Sequence, residues 1–336
     1  MAIDLLAVQP HKMSRDLRGY SVFLYGGWKT GKTTTACMFP NHLLLAFEKG
    51  YSAIPGAMAQ PINDWREFKQ ALKDLKKDEV KQRYETIIID TADIAYDYCT
   101  KYICNNNDVN TVSEIPYGKG YELISKEFDE SLRLIVQLGY GLVIISHETE
   151  KTFKDAYGQD YLKIVPTLDK RANNIIARMC DILGYSRAVE TDEGTTMTKL
   201  YMRGTPRFEA GSRFKYTPDD IVFTYDNLVN AIAEAVKRHE EELGKELFTN
   251  EREEAYKDTT SELDYDALMG EFQNLMATLE EKYPAERMES FYVPRIQSLA
   301  EKYLGKGNKI SNCSYNQVQQ LALIIDDIKD LIEKNK

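Results

Sequence analysis

Residues 26–33 read Gly26-Gly27-Trp28-Lys29-Thr30-Gly31-Lys32-Thr33 and match the pattern G-x-x-x-x-G-K-[ST] at every fixed position. An apolar run, YSVFLY at residues 20–25, precedes this segment, and helical sequence follows it from about residue 31 to residue 39. Glycines in such a turn let backbone N–H groups curl around phosphate oxygens at the positive end of a helix. A strand that is followed by a glycine-rich turn and then by a helix therefore predicts a phosphate-binding loop.

In a loop of this pattern, the lysine reaches the β- and γ-phosphates and the hydroxyl that follows it ligates Mg²⁺. We therefore predict that ATP and Mg²⁺ bind here, with Lys32 on the phosphates and Thr33 on the metal. The alternative is a glycine-rich turn without a ligand, which requires strand, loop and helix to coincide by chance. The predicted nucleotide-binding residues are Gly26, Gly27, Trp28, Lys29, Thr30, Gly31, Lys32, Thr33 and Thr34.

Short apolar runs alternate with amphipathic stretches between residues 20 and 150. The further runs are LLLAFE at 43–48, TIIID at 86–90 and GLVIIS at 141–146, and helical spacing occupies 64–77, 92–103 and 121–138. Strands that are apolar on both faces belong in a parallel sheet covered by helices. The pattern predicts an α/β fold with a mostly parallel central sheet.

Polar side chains end three of these apolar runs. Asp90 ends TIIID and is predicted to hold the Mg²⁺ through water, although a strand-end aspartate also caps helices. Glu48 ends LLLAFE and is predicted to orient and deprotonate the attacking water, the alternative being a surface glutamate in a turn. His147 follows GLVIIS and is predicted to contact the γ-phosphate, the alternative being a ring that bonds only to neighbouring backbone. Glu48, Lys32 and His147 are the predicted catalytic residues.

Two long stretches, 105–120 and 148–167, interrupt the pattern, and loops of this length are usually functional. Their lysines are predicted to contact single-stranded DNA and their aromatic residues to stack on bases, unless the loops fold back as packing. A third stretch, 199–217, has five basic residues and one acid. Its basic side chains either contact phosphates, those of a neighbouring subunit's nucleotide or of nucleic acid, or form the solvated face of a hairpin. The candidate DNA contacts are Lys119, Lys151 and Lys154, with Lys163, Tyr117, Phe153 and Tyr157 beside them. The candidate phosphate contacts are Arg203, Arg207 and Arg213.

Composition and charge limit the possible domain organisations of the chain. The chain has 336 residues, 43% of them hydrophobic, and a net charge of −10. Residues 241–336 contain 12 basic and 20 acidic side chains and so carry −8, which disfavours nucleic acid as their partner. We predict an extension at 1–18, a nucleotide-binding domain at 19–247, a charged linker at 248–263 and a helical domain at 264–336. Five scattered cysteines, with no apolar run of 18 residues and no secretory leader, predict a cytoplasmic protein that does not enter membranes.

The order of these motifs resembles the RecA-type ATPase core. More closely, GGWKTGKT, the stretch 43–50 and the segment Gly211-Ser212-Arg213 are similar to phage-encoded RecA-core ATPases associated with single-strand annealing and recombination. The resemblance covers roughly residues 18–235. It implies a RecA-like P-loop fold, Mg²⁺-dependent ATP hydrolysis and a homo-oligomer. The chain departs from RecA at His147, where RecA has glutamine, and no RecA polymerisation segment precedes the core.

The sequence and the resemblance together predict an ATPase that acts on single-stranded DNA in phage recombination, annealing or replication. The alternative is a nucleotide-binding accessory switch with little hydrolysis, whose C-terminal helices dock a single-strand-binding or annealing protein. A small-molecule kinase shares the phosphate loop, but no arginine-rich lid helix is evident and the helical tail would have no role.

Overall fold

The computed structural model describes residues 10–244, 248–252 and 263–335, together with Leu6. The chain divides into two compact units, Met1–Lys257 and Asp258–Lys336. In the first unit the strands are β1 (Met13–Asp16), β2 (Ser21–Gly26), β3 (His42–Ala46), β4 (Ala59–Pro61), β5 (Thr86–Asp90), β6 (Gly141–Lys154), β7 (Asp160–Pro166), β8 (Ile182–Glu190), β9 (Thr196–Tyr201), β10 (Gly211–Ser212), β11 (Asp220–Val222) and β12 (Phe248–Arg252). Its helices are α1 (Lys32–Ala36), α2 (Trp65–Asp74), α3 (Asp78–Arg83), α4 (Ala92–Asn106), α5 (Lys119–Gln137), α6 (Lys170–Met179) and α7 (Tyr225–Leu243).

A central sheet runs through the first unit in the order β11-β9-β8-β2-β6-β5-β3-β4. The pairings from β8 to β4 are all parallel, whereas β9 and β11 are added antiparallel at one side. Every residue of β2 and of β5 is buried, because helices cover both faces of the sheet. The carboxyl ends of β2, β3, β5 and β6 consequently lie along the same edge of the sheet, where the residues that follow them can meet.

Alternate residues of each central strand enter two different apolar cores. Phe23, Ile89 and Ile144 pack on one face with residues of α2, α4, α5 and α6. Val22, Ile88 and Val143 pack on the other face with Phe39 and with the apolar side of α7. Asp64 begins α2 by accepting a hydrogen bond from the backbone N–H of Glu67, as expected for an N-terminal cap. The mixed α/β architecture with a central sheet agrees with the prediction from the sequence.

Two elements differ in length from the predicted ones. The helix after the phosphate loop ends at Ala36 rather than near residue 39, and turns complete the connection to β3. The strand predicted at 141–146 continues to Lys154, and it pairs with β7 in an antiparallel hairpin from Glu148–Pro166 to Lys154–Asp160. A turn that includes Tyr157 lies at the tip of this hairpin. The stretch 148–167 is therefore a hairpin whose first strand continues the core strand β6.

The predicted boundaries at 18/19 and 247/248 differ from the observed unit. β1 lies within the predicted extension, β12 lies within the predicted linker, and the two strands pair in parallel from Met13–Phe248 to Asp16–Arg252. Met13 and Phe248 pack against the core on the α7 side of the sheet. The Arg15 guanidinium also donates to Glu240 of α7 over 2.6 Å. Residues 248–252 (FTNER) begin a highly charged stretch, and this concealed a strand that closes the first unit.

The second unit consists of helices around a core of its own. The helices are α8 (Tyr265–Lys282), α9 (Ala285–Arg287), α10 (Val293–Leu304) and α11 (Val318–Glu333), and a π-helical turn at Met288–Tyr292 joins α9 to α10. Tyr292 and Ile296 pack with Leu321, Ile324 and Ile328, all of them buried. In the part of the chain that the structure describes, no helix combines the length and the apolarity that crossing a membrane requires.

A protein that ends at residue 257 is expected to fold and to bind ATP, because both strands of the β1–β12 pair remain and the core of the second unit is separate. A protein that ends at residue 247 loses β12 and is expected to unfold at a temperature several degrees lower. Thermal unfolding and ATP titration of the two truncated proteins, beside the full chain, measure this. Equal stability of the two truncated proteins would contradict a closing role for β12.

Candidate active site

The phosphate loop joins β2 to α1 and contacts Ser186 of the neighbouring strand β8. A Cβ at Gly26, whose φ is +149°, would lie 2.0 Å from the backbone oxygen of Ser186, so only glycine is accommodated there. Thr30 Oγ1 donates to the Gly27 carbonyl over 2.9 Å and lies 2.8 Å from Ser186 Oγ. Ser186 was not predicted, since nothing in the sequence relates it to the loop. Its role is to hold the loop in place.

Lys32 is the cation of the site, and its side chain is almost fully buried. The ammonium donates to the backbone carbonyls of Gly26 over 2.9 Å and Gly27 over 2.6 Å. Burial lowers the pKa of Lys32 to about 8, while the negative charges of Asp90, Glu148 and Glu48 act in the opposite direction. A buried ammonium held by carbonyl oxygens can exchange them for phosphate oxygens, which carry full charge.

Thr33 and Asp90 are brought together as predicted for metal ligands. Thr33 Oγ1 donates to Asp90 Oδ2 over 2.7 Å. A Cβ at Gly50 would lie 3.6 Å from Asp90 Oδ2, 3.7 Å from Glu48 Oε1 and 3.8 Å from Thr33 Oγ1. Gly50 therefore leaves open a small space that three oxygen atoms face. Hard oxygen ligands of this kind suit Mg²⁺, so the residues present fit that ion.

The described residues contain no group of three or more His, Cys, Asp and Glu side chains placed to hold a metal ion. A Mg²⁺ site beside a nucleotide does not require such a group, because one or two carboxylates hold the ion together with substrate phosphates and water. Asp90 is 2% exposed. Burial, followed by the charge of Glu48, raises the pKa of Asp90 to about 6, and the Thr33 hydrogen bond partly offsets this.

Glu48 and His147 face each other at the edge of the sheet. β3 ends at Ala46, and the backbone N–H groups of Phe47 and Glu48 then donate to the Asp90 carbonyl. His147 Nε2 lies 3.8 Å from Glu48 Oε1, and the proximity of this imidazole lowers the pKa of Glu48. The carboxylate is thus ionised near neutral pH and able to accept a proton from water. Within the described residues, His147 Nδ1 is buried and has no partner.

The pH dependence of kcat/KM is expected to be bell-shaped, with limbs near pH 6 and pH 8. Asp90 must be deprotonated to take part in metal binding, so activity rises as the pH increases through its pKa of about 6. Lys32 must be protonated to bind phosphate, so activity falls as the pH increases through its pKa of about 8. kcat/KM reports groups of the free enzyme, and initial rates at subsaturating ATP between pH 5 and pH 9 measure it. A rate that is flat from pH 5 to pH 9 would contradict this assignment.

The basic segment 199–217 is largely neutralised by partners in its own unit. Arg203 donates to the carbonyls of Thr217 and Lys215, and Arg213 pairs with Asp181 over 2.9 Å. Lys199 pairs with Asp220, and Lys215 pairs with Glu242. Arg207 is exposed, and its side chain has no ion pair or hydrogen bond among the described residues. Of the three predicted arginines, only Arg207 is free to contact a phosphate or a neighbouring subunit.

The predicted DNA contacts lie on exposed surface. Lys119 begins α5 next to Tyr117, which is 95% exposed. In the β6–β7 hairpin, Lys151 is opposite Lys163, and Phe153 is opposite Tyr161 with the ring centroids 6.0 Å apart. These four side chains, which we call the hairpin face, point to the same side because cross-strand partners share a face. Lys154 is opposite Asp160 and points to the other side.

Two further contacts near the site were not predicted. Thr167 Oγ1 donates to Asp93 Oδ1 over 2.5 Å, and the Thr167 N–H donates to the His147 carbonyl, which ties the base of the hairpin to α4. A Cβ at Gly27 would lie 3.3 Å from Glu148 Oε1, so this carboxylate lies against the phosphate loop. Glu148 follows His147 directly, and a second acidic residue at a strand end was the signal that could have revealed it.

The fold and the site define a P-loop nucleotide-binding protein, with a loop lysine, a threonine–aspartate pair and a mixed α/β sheet. In agreement, the family described as "AAA domain" matches residues 18–214. The chain belongs to this family of P-loop-type ATPases. It is also 33% identical, over 338 residues, to the SPbeta prophage-derived uncharacterized protein YorG of Bacillus subtilis (strain 168), and the match covers 99% of each chain.

Proposed function

We propose that the protein is a Mg²⁺-dependent ATPase of RecA-like type that acts on single-stranded DNA in phage recombination, annealing or replication. The observation that carries the ATPase part is the space at Gly50, which oxygen atoms of Thr33, Asp90 and Glu48 face. Lys32 and the loop amides bind the phosphates, while Glu48 orients and deprotonates the attacking water. Mg²⁺ held at Thr33 and Asp90 supplies neutralising charge at the phosphates.

The order of the strands supports the RecA-like assignment. β6 lies between the phosphate-loop strand β2 and the aspartate strand β5, and β3 lies on the far side of β5. The predicted base Glu48 therefore follows the strand next to β5, and His147 follows the core part of β6. The register pairs His147 with Gly26, Ala46 with Asp90 and Asp90 with Ile145, so β2 and the core part of β6 end two residues beyond β3 and β5.

The hairpin face supports single-stranded DNA as the ligand. Lysines with aromatic rings between them suit an extended strand, because phosphates pair with ammonium groups and bases stack on rings. Lys163 Nζ lies 3.1 Å from Glu209 and 5.5 Å from the Phe153 ring centroid. Lys151, which is exposed, has no such carboxylate partner among the described residues. Lys151 is therefore the strongest candidate phosphate contact on this face.

A nucleotide-binding accessory switch is the second candidate function. The separate core of the unit Asp258–Lys336 favours it, since an acidic helical unit can bind a protein partner without contributing to catalysis. In this alternative the unit docks a single-strand-binding or annealing protein. We extend both candidates to a homo-oligomer, with Arg207 as the residue available to a neighbouring copy.

ATP hydrolysis measured with and without single-stranded DNA separates the two candidates. Turnover that increases with DNA supports the ATPase that acts on DNA, whereas tight ATP binding without turnover supports the switch. Phosphate transfer to a nucleoside instead of water would contradict both.

Replacing Lys151 with alanine is expected to weaken DNA binding and to reduce the slope of log affinity against log salt concentration by about 0.7, the value for one lost phosphate contact. Lys154→Ala is expected to leave the slope unchanged, although the sequence also predicted Lys154 as a DNA contact, because its side chain points to the other side of the strand from the hairpin face. Binding isotherms for an oligonucleotide at several salt concentrations measure both variants. If neither variant changes the slope, DNA does not bind at the hairpin face.

A further inference from the structure

A groove of about 820 Å³, which we call the α7 groove, lies between α7 and the segment 215–222. Asn227 Nδ2 donates to the Val222 carbonyl over 3.0 Å, and the Arg238 guanidinium lies 4.7 Å from the centroid of the Tyr216 ring. α7 therefore runs antiparallel to this segment, and the two contacts mark the ends of the groove. Asn227 and Arg238 are separated by about 16 Å along the helix, a length that about five residues of extended chain occupy.

One wall of the α7 groove is β11, which ends the path of the central sheet. Met202 N–H, on the β9 side, and Phe223 N–H, on the β11 side, donate across the β9–β11 pair at either end. Because the direction of bonding alternates along a strand, the backbone groups of Asp220 and Val222 point away from β9. Asn227 occupies the Val222 carbonyl, but the two N–H groups and the Asp220 carbonyl have no partner among the described residues. This edge can therefore accept one further strand.

The α7 groove is apolar along its middle and positively charged at one end. Ile221 and Ala231 line the middle. At the charged end, the guanidinium of Arg238 lies against Tyr216 and has no carboxylate partner in the part of the chain that the structure describes. Arg203 adds positive charge there, because its hydrogen bonds go to neutral backbone carbonyls.

Two acidic side chains limit the kind of anion that suits the α7 groove. The Asp219 side chain is 88% exposed and lies 3.8 Å from Arg203, and Glu234 lines the groove one turn before Arg238 on α7. A nucleic-acid strand would bring a succession of phosphates past both carboxylates, which repulsion disfavours. A ligand with a single carboxylate needs only Arg238. The charges therefore favour a peptide over nucleic acid.

We propose that the α7 groove binds the C-terminal segment of a protein partner as a strand antiparallel to β11. The backbone of the segment pairs with Asp220 and Val222, and an apolar side chain packs on Ile221 and Ala231. The terminal carboxylate lies at Arg238, because the chain end continues along the groove whereas side chains of a strand point out of its plane. The groove contains none of the nucleotide-site residues, so the inference does not depend on ATP hydrolysis or on DNA binding.

The test selects random heptapeptides with free C-termini against the full chain and measures the tightest-binding peptide by fluorescence anisotropy. The same peptide is also measured with an amidated C-terminus, and against Arg238→Ala. Lys237→Ala is the matched control, since it removes one positive charge from the neighbouring exposed position of α7, outside the groove. Amidation and Arg238→Ala are each expected to weaken binding roughly tenfold, the scale of a lost hydrogen bond to a charged group, whereas Lys237→Ala changes nothing.

Amide hydrogen exchange tests the strand addition itself. The N–H groups of Asp220 and Val222 gain partners when the peptide binds, so exchange in the segment 219–224 is expected to slow. Mass spectrometry of the full chain with and without the peptide measures this. Unchanged exchange in that segment would contradict pairing with β11.

Failure to select any peptide with a Kd below about 100 µM would overturn the inference. Equal binding of the peptide by Arg238→Ala and by the wild type would also overturn it. Loss of self-association in Arg238→Ala would assign the groove to a second copy of this chain, and loss of oligonucleotide binding would assign it to nucleic acid. Either result contradicts the proposal. The comparison of free and amidated peptide needs no variant, so it decides the matter even if Arg238→Ala unfolds.

Discussion

Lys32→Ala is expected to abolish ATP hydrolysis and to weaken ATP binding by about a hundredfold or more. The variant removes the buried ammonium that the structure holds at the Gly26 and Gly27 carbonyls, next to the place where the β- and γ-phosphates bind. Charge-assisted contacts to phosphate are among the strongest hydrogen bonds in proteins. Lys126→Ala is the control, since that lysine is 70% exposed and pairs only loosely with Glu130.

Steady-state hydrolysis and nucleotide titration measure both variants, and thermal unfolding shows whether the loop survives the loss of Lys32. Turnover near the wild-type rate in Lys32→Ala would contradict the ATPase assignment, because no other buried ammonium lies at this loop within the described residues.

Glu48→Gln is expected to keep ATP bound while kcat falls by about 10²–10⁴-fold, the usual scale for the loss of a general base. The amide has nearly the same shape as the carboxylate but cannot accept a proton from water. The position of His147, 3.8 Å away, favours the ionised carboxylate in the wild-type protein. Single-turnover hydrolysis with an ATP titration separates chemistry from binding. Glu130→Gln, on exposed surface of α5, is the control.

Normal hydrolysis by Glu48→Gln would require water activation to be assigned to Asp90 or Glu148 instead. The negative charges of both carboxylates favour the protonated form of Lys32. The same measurement on Glu148→Gln then tests whether Glu148 is the base.

The central strands could be predicted because their evidence is local. Runs such as TIIID and GLVIIS are apolar at every position, which occurs where helices cover both faces of a sheet. The extension of β6 beyond Ser146 was not predicted as part of the same strand, since its residues become polar once they leave the core. β12 was missed for a related reason: charged residues at 248–252 resemble a linker, and only pairing with β1 makes them a strand.

The site could be predicted where a motif carries the information. Residues 26–33 are contiguous, and Asp90, Glu48 and His147 all follow apolar strands, so their convergence follows from the parallel sheet. Ser186 and Gly50 act through space, and no spacing in the sequence relates them to the loop, whereas Glu148 directly follows His147 after an apolar run. The basic residues of 199–217 show the opposite case, because their local density suggested a free basic surface, while acidic partners elsewhere in the unit pair with Lys199, Arg213 and Lys215.

The pairing of β1 with β12 has a consequence for synthesis of the protein on the ribosome. Met13 emerges early, but its partner Phe248 is translated 235 residues later. Until then β1 has an unpaired edge, and the core surface that Met13 and Phe248 cover stays open to solvent. The nascent ATPase unit is therefore expected to be a client of ribosome-associated chaperones until residue 252 has left the exit tunnel. Folding of this unit is completed only as the helical unit is being translated.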